Sequence, residues 1–306
     1  LVPEKFNVVL SKEQMAEDWK AAGIFNRISE RSDAISLEEI VRLNKEYKLI
    51  IKPDVAASSR GITTLAKNST AKQIKDALSL AKEASFNKLC LIEEYVVGRE
   101  FTVDMLGDDY GNVVVYGISV KYHTPYALNN RCAVKLHWNS NVYSEEVYKT
   151  IANRGRECYR SIGLKNSFGH LEIIMKADGT LTPVEIGART SGFIGSHLVS
   201  AASGQDYLHD YVDMLHGKNI GNVDHINGTQ SAMWYKYNIP NGYTCVKKTS
   251  LADYLDKQIT VMYNDHGGLQ EGVTYGPIID DNTCDKEGYE MMRGPKDVLT
   301  YDFIRK

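Results

Sequence analysis

The chain has 306 residues, 43% of them hydrophobic, which is enough apolar material for two or three lobes. A formal net charge of −3 supplies no basic footprint and argues against nucleic-acid binding as the main role. No run of about 18 apolar residues appears, and Leu1-Val2-Pro3-Glu4-Lys5 lacks the apolar stretch of a signal peptide, so the chain reads as soluble and cytoplasmic, without a membrane partner.

Ser11 followed by Gln14 has capping-box spacing and predicts a helix that ends at Gly23. Tyr47 to Lys52 reads as a strand stopped by Pro53, whose missing N–H cannot continue a ladder. A loop of small residues, Ala56 to Gly61, leads to a helix from about Thr70 to Ser85 with Ile74, Ala77, Leu78 and Ala81 on its apolar face. Lys88 to Glu94 is the next strand. Together these segments predict a compact α+β lobe over residues 1–95.

From Glu100 the strands lengthen, with Glu100 to Leu106 and Asn112 to Lys121 ahead of a helix from Glu145 to Ile162. An acidic hairpin follows, and Asp206 caps a helix that runs to His216 and stops at Gly217. These elements predict a larger antiparallel lobe over 96–217. Beyond it the chain is rich in strands and turns, punctuated by Gly242, Gly267-Gly268, Gly272 and Gly276, and reads as a third, smaller unit over 218–306. The fold class is α+β. The five cysteines are scattered without C-x-x-C spacing and read as reduced packing thiols, and the eight histidines form no zinc-like cluster. Two matches to the glycosylation acceptor pattern, at Asn68 and Asn227, have meaning only in a secreted chain.

The most informative segment is the hairpin itself, Gly169-His170-Leu171-Glu172-Ile173 and Pro183 to Arg189 joined by Ala177-Asp178-Gly179. Asp-Gly between alternating runs is a strong turn signal, and alternation places Glu172, Glu185 and Arg189 on one side. Two hard oxygen ligands beside a permanent cation suit Mg²⁺ and phosphate. A solvated polar face would show the same two carboxylates, so the rest of the chain has to decide.

Neither G-x-x-x-x-G-K-[ST] nor G-x-G-x-x-G is present. Lys52, at a strand end, adjoins the small-residue loop where the N–H groups of Ser58, Ser59 and Gly61 can approach a polyanion. Ile92 to Glu100 is an apolar strand running into a short connector with carboxylates at both ends, which can offer backbone groups to a planar base or serve as a solvated linker.

Ser11-Lys12, Ile51-Lys52-Pro53, Glu93-Glu94-Tyr95-Val96 through Glu100, the Glu172 strand and Glu185-x-Gly-x-Arg189 occur in the order and approximate spacing of the ATP-grasp superfamily. The resemblance covers roughly Ser11 to Gly217 and is nearest to the carboxylate–amine ligases of the carbamoyl-phosphate-synthase and amino-acid-ligase branch. It implies an ATP-grasp fold of two lobes clasping ATP, with Mg²⁺ or Mn²⁺. It places Lys12, Lys52 and Lys121 on the phosphates, with the Ser58 to Gly61 loop closing over them. Glu94 C=O and Val96 N–H would read adenine, Glu93 would support the exocyclic amine and Glu100 the ribose. Glu172 and Glu185 would hold the metal, Arg189 the transferred phosphoryl group, and Ser191 and Gly192 the acceptor substrate, with His170 lining the same cleft.

Two departures stand out. The family commonly has Asn where this chain has Gly187, which leaves one or two metals open. Ligases of this branch also carry an α/β domain ahead of the Ser11-Lys12 element, where ten residues stand here, so a fragment, a partner-supplied lobe, a homodimer or a short variant is expected. The implied activity is ATP-dependent amide formation through an acyl phosphate, with a small carboxylate and an amine as substrates. A silent ATP-binding module and a carboxylating or carbamoyl-phosphate-type enzyme are the alternatives.

Overall fold

Polar caps set the boundaries of the first elements. In the computed structural model, which describes residues 8–56, 60–126, 132–192, 194–247, 256–265, 268–278 and 288–300, the Ser11 side chain accepts from the Gln14 N–H and opens helix α1, Lys12–Ala21. The chain leaves that helix at Gly23, whose φ of +72° suits a residue without Cβ. Strand β1 (Ser29–Arg31) and helix α2 (Leu37–Glu46) follow; α2 is opened by a reciprocal capping box between Ser36 and Glu39. Then come β2 (Leu49–Pro53), β3 (Thr63–Leu65), α3 (Ala71–Ala84) and β4 (Cys90–Glu94). Pro53 is the last residue of β2, opposite Cys90, and does not end the strand before it. The four strands form an antiparallel sheet in the order β1-β4-β2-β3, packed on α2 and α3 through Ile40, Ile51, Ile74, Ala77 and Ile92.

The second sheet carries the site. Its strands are β5 (Arg99–Gly107), β6 (Val113–His123), β7 (Ala133–Trp138), β8 (Ser167–Met175), β9 (Leu181–Gly187), β10 (Gln230–Lys236), β11 (Thr260–Asp265) and β12 (Tyr289–Pro295). They are ordered β11-β12-β10-β7-β6-β5-β8-β9, and every pairing is antiparallel. Helix α4 (Glu145–Ser161) and α1 cover one face, where Trp19, Ile151 and Tyr159 pack on Phe101, Val103 and Ile118. Helices α5 (Gly195–Ser203) and α6 (Tyr207–Leu215) cover one end of the other face, where Val199 and Tyr207 meet Tyr116, Trp138 and Ala232. The rest of that face fronts the small sheet across a cleft.

This packing differs from the boundaries read off the sequence. Helix α1 lies within 1–95, yet Met15, Ala16 and Trp19 are buried in the core of the large sheet, because its apolar face matches α4. Strands β10 to β12 lie within 218–306, yet β10 pairs with β7, so they extend the large sheet. Cys90, Cys132 and Cys158 are buried free thiols, and Cys284 lies outside the described residues. Among the described residues no helix is long and apolar enough to cross a membrane.

Trp19 is fully buried and donates Nε1–H to the Cys158 carbonyl at 3.1 Å, fastening α1 to α4. Trp19→Ala is expected to cost about 3–5 kcal/mol by cavity formation and loss of this hydrogen bond. Chemical denaturation monitored by circular dichroism measures it.

Candidate active site

The turn between β8 and β9 is closed by Gly179 N–H donating to the Lys176 carbonyl, with Gly179 at φ +84° and Asp178 accepting from the Thr180 N–H. That turn fixes a register in which Glu172 lies directly opposite Glu185. Both line a cleft of about 1020 Å³ between the two sheets, together with Lys12, Lys52, Glu93, Glu94, Val96, Glu100, Lys121, His170, Arg189 and Gly192. A second hollow, of about 1030 Å³, lies between α5, α6 and β10 to β12 and contains neither carboxylate.

Each hairpin carboxylate is met by a lysine. Lys121 Nζ lies 2.6 Å from Glu100 Oε1 and 3.0 Å from Glu172 Oε1, and Lys12 Nζ lies 3.0 Å from Glu185 Oε2. Burial raises the Glu172 carboxyl above its ordinary range and Glu100 and Glu185 add to the effect, against the pull of Lys121. Burial also opposes ionisation of Glu185, but Lys12 outweighs it and the group is held below the ordinary range. Burial works against the Lys121 ammonium, while Glu100 and then Glu172 raise it well above the usual lysine value.

In the small sheet, Glu93 is buried and answered twice: Arg27 Nη2 lies 2.8 Å from Oε2, and Lys52 Nζ lies 2.9 Å from Oε1. The Ser29 hydroxyl donates to Oε1 as well, at 3.2 Å. The carboxylate that resemblance assigns to the adenine amine is thus engaged by an ion triad. Burial opposes its charge, and Arg27 and then Lys52 overcome that, holding Glu93 low. Burial pushes the Lys52 ammonium down to about 8 although Glu93 stands beside it.

The connector after β4 is held by Glu94 N–H donating to Ile28 and Tyr95 N–H donating to Lys48. Val96 is buried in the cleft wall, and none of the described residues accepts from its N–H. Ser58 and Ser59 lie outside the described residues. Gly61 packs against the end of α3, where a Cβ would stand 2.5 Å from that of Ala84, and its neighbours Arg60 and Ile62 line the cleft in its place. Arg189 is exposed and donates to the Thr190 carbonyl at 2.8 Å. Its stem fills the space above Gly187, where a Cβ would meet Arg189 Cγ at 3.1 Å. Gly192 lines the cleft, but Ser191 is buried and turned inward.

Sequence reading missed three residues that organise these groups: Arg27, Asp104 and Trp138. The Asp104 carboxylate accepts from His170 Nδ1 at 2.8 Å, from the Ser191 hydroxyl at 2.7 Å and from Trp138 Nε1 at 2.9 Å. Its partners lie 34 or more positions away, so no local spacing signals them.

A sequence profile described as an ATP-grasp domain matches residues 45–197, half of the chain. The chain belongs to the ATP-grasp family. A D-alanine–D-alanine ligase of Actinobacillus succinogenes is 27% identical over 180 residues, covering 55% of this chain and 54% of the relative, so the match spans about half the length of that protein. The L-amino acid ligase of Bacillus licheniformis has the same fold, with a TM-score of 0.68 at 16% identity, over 95% of this chain and 68% of that one. So does the biotin carboxylase domain of the Hydrogenobacter thermophilus 2-oxoglutarate carboxylase, solved with MgADP, ADP and bicarbonate, with a TM-score of 0.66 at 19% identity over 94% of this chain and 62% of that one.

The donor set fits Mg²⁺. Two opposed carboxylates leave positions for water and phosphate oxygens, as this ion prefers, and a cation would offset the burial, and then the neighbouring carboxylates, that raise Glu172. Among the described residues no group of three or more His, Cys, Asp or Glu side chains forms an all-protein metal cage.

Glu93→Gln would leave Arg27 and Lys52 buried without their counter-charge. It is expected to destabilise the protein by about 3–5 kcal/mol. Thermal and urea unfolding of the variant beside wild type would check this.

Proposed function

We propose that this protein is an ATP-dependent ligase that joins a carboxylate to an amine through an acyl phosphate, releasing ADP and phosphate. The observation that carries the reading is the Glu172–Glu185 pair, set in register and flanked by Lys12 and Lys121. Mg²⁺ held by these two carboxylates would supply charge neutralisation at the terminal phosphate. Lys12 and Lys52 would hold the phosphates and the Glu94 to Val96 connector the adenine.

A carboxylate oxygen attacks the γ-phosphorus, the bond to the β-phosphate oxygen breaks, and ADP leaves. The amine then attacks the acyl carbon, phosphate departs, and the amine's surplus proton passes to His170 or to solvent. Arg189, which lines the cleft, would pair with the transferred phosphoryl group. The similarity to a D-alanine–D-alanine ligase supports amino-acid-like reactants.

The test supplies Mg²⁺, ATP and a panel of amino acids and small carboxylates, with hydroxylamine as the trapping nucleophile. ADP, phosphate and a hydroxamate are expected. AMP and pyrophosphate would sink the acyl-phosphate mechanism, and bicarbonate as the sole effective acid would favour a carboxylating enzyme.

A pH dependence follows from Lys52. Its ammonium is held down to about 8 in the nucleotide-free protein, and bound phosphates raise it, so binding takes up a proton above that value. ATP affinity should therefore hold below pH 8 and weaken above it, approaching about tenfold per pH unit. Phosphate itself titrates near 6, outside this window. Isothermal titration between pH 7 and 10 reads the slope, and Lys52→Arg, which stays charged, should flatten it.

A further inference from the structure

Asp104 lies on β5, fully buried, on the face of the large sheet that continues into the cleft. Among the described residues neither lysine nor arginine forms an ion pair with it. A desolvated carboxylate without such a partner needs dense hydrogen bonding. Three donors from three parts of the chain supply it. Trp138 Nε1–H, from β7, donates to Oδ2 at 2.9 Å; His170 Nδ1, from β8, lies 2.8 Å from Oδ1; the Ser191 hydroxyl, from beyond β9, donates to Oδ1 at 2.7 Å.

Two of these donors belong to the acceptor side of the cleft. His170 sits directly opposite Asp104 in the β5–β8 register and lines the cleft. With Nδ1 committed to the carboxylate, Nε2 is the polar atom of that ring left for a ligand. Ser191 comes two residues after Arg189 and immediately before Gly192. It can fold back onto Asp104 because Gly195 leaves the space: a Cβ there would stand 2.4 Å from that of Ser191.

We propose that Asp104 is the positioning residue of the acceptor subsite. It fixes the His170 ring with Nδ1–H donated inward and the Nε2 lone pair presented to the incoming amine, and it pins the Ser191–Gly192 segment beside that amine. The identity of the amine rests on the ligase reading; the orientation of the ring rests on the hydrogen bonds alone.

The first experiment therefore needs no turnover. Nitrogen chemical shifts of the His170 ring in ¹⁵N-labelled protein, assigned by comparison with His170→Gln and read on the neutral ring at the alkaline end of a pH series, should place the proton on Nδ1 and leave Nε2 without one. A ring protonated at Nε2 would overturn the proposal. Asp104→Asn, whose amide nitrogen cannot accept, should scramble this tautomer. It should lower kcat/KM for the amine by about tenfold or more while KM for ATP stays within about twofold. Equal losses toward both substrates would mean a merely structural role and would also overturn it. If Asp104→Asn does not fold, Ser191→Ala, which keeps the carboxylate, should raise KM for the amine with the His170 tautomer retained; an unchanged KM would remove the Ser191 arm. Failure of the wild type to form ADP with any acid and amine would count against the ligase reading, and the nitrogen shifts would still decide the role of Asp104.

Discussion

Lys121 reaches both Glu100 on the next strand and Glu172 one strand further on, and its two ion pairs permit three charges to sit together in a largely buried row. Desolvating a carboxylate costs several kcal/mol unless an opposite charge answers it. The same rule is met across the cleft by Arg27 and Lys52 around Glu93, and at the hairpin by Lys12 on Glu185. The positions of the cleft lysines are therefore set by the carboxylates they neutralise, and an anion entering the cleft would compete with partners already in place.

The lobes meet through the start of α1. Lys12 Nζ donates to the carbonyls of Asp54 and Ala56 in the small lobe while reaching Glu185 in the large one. The Asp54 side chain accepts from the Ser11 hydroxyl, the Glu13 N–H and the Asn87 amide. A helix that packs on the large sheet is thus tied at its first turn to the loop after β2. Changes at this junction act on the end of β2 and on Glu185 together.

Much of this was legible because it is local. The Asp178-Gly179 turn, the Ser11, Thr70 and Asp206 caps and the long strands β5 and β6 are specified by neighbours in sequence, and the structure has them within a few residues of the expected places. Strand β7 was not read because all six of its residues are buried, Lys135 and His137 included, so no apolar–polar alternation marks it. Helix α5 lacks a capping side chain, and its small residues resemble a loop. Helix α2 carries its signal in the capping box of Ser36 with Glu39. At the site, order along the chain identified the carboxylates and lysines that the cleft brings together. It could not show that Glu93 is enclosed by Arg27 and Lys52, or that Ser191 faces inward, since those contacts join residues far apart in sequence.

The pairing of β10 with β7 joins Trp138 to Ala232 across about ninety positions of chain. The β5–β6 and β8–β9 hairpins close short loops and can form early, whereas this pairing must wait for the loss of chain entropy that a long closure entails. Trp234 and Lys236, which complete the cleft wall beside Leu136, arrive with it. A nascent or truncated chain that ends before β10 would hold the hairpin carboxylates and lack one wall of the chamber around them, so the order of synthesis withholds a finished cleft until its last strands have docked.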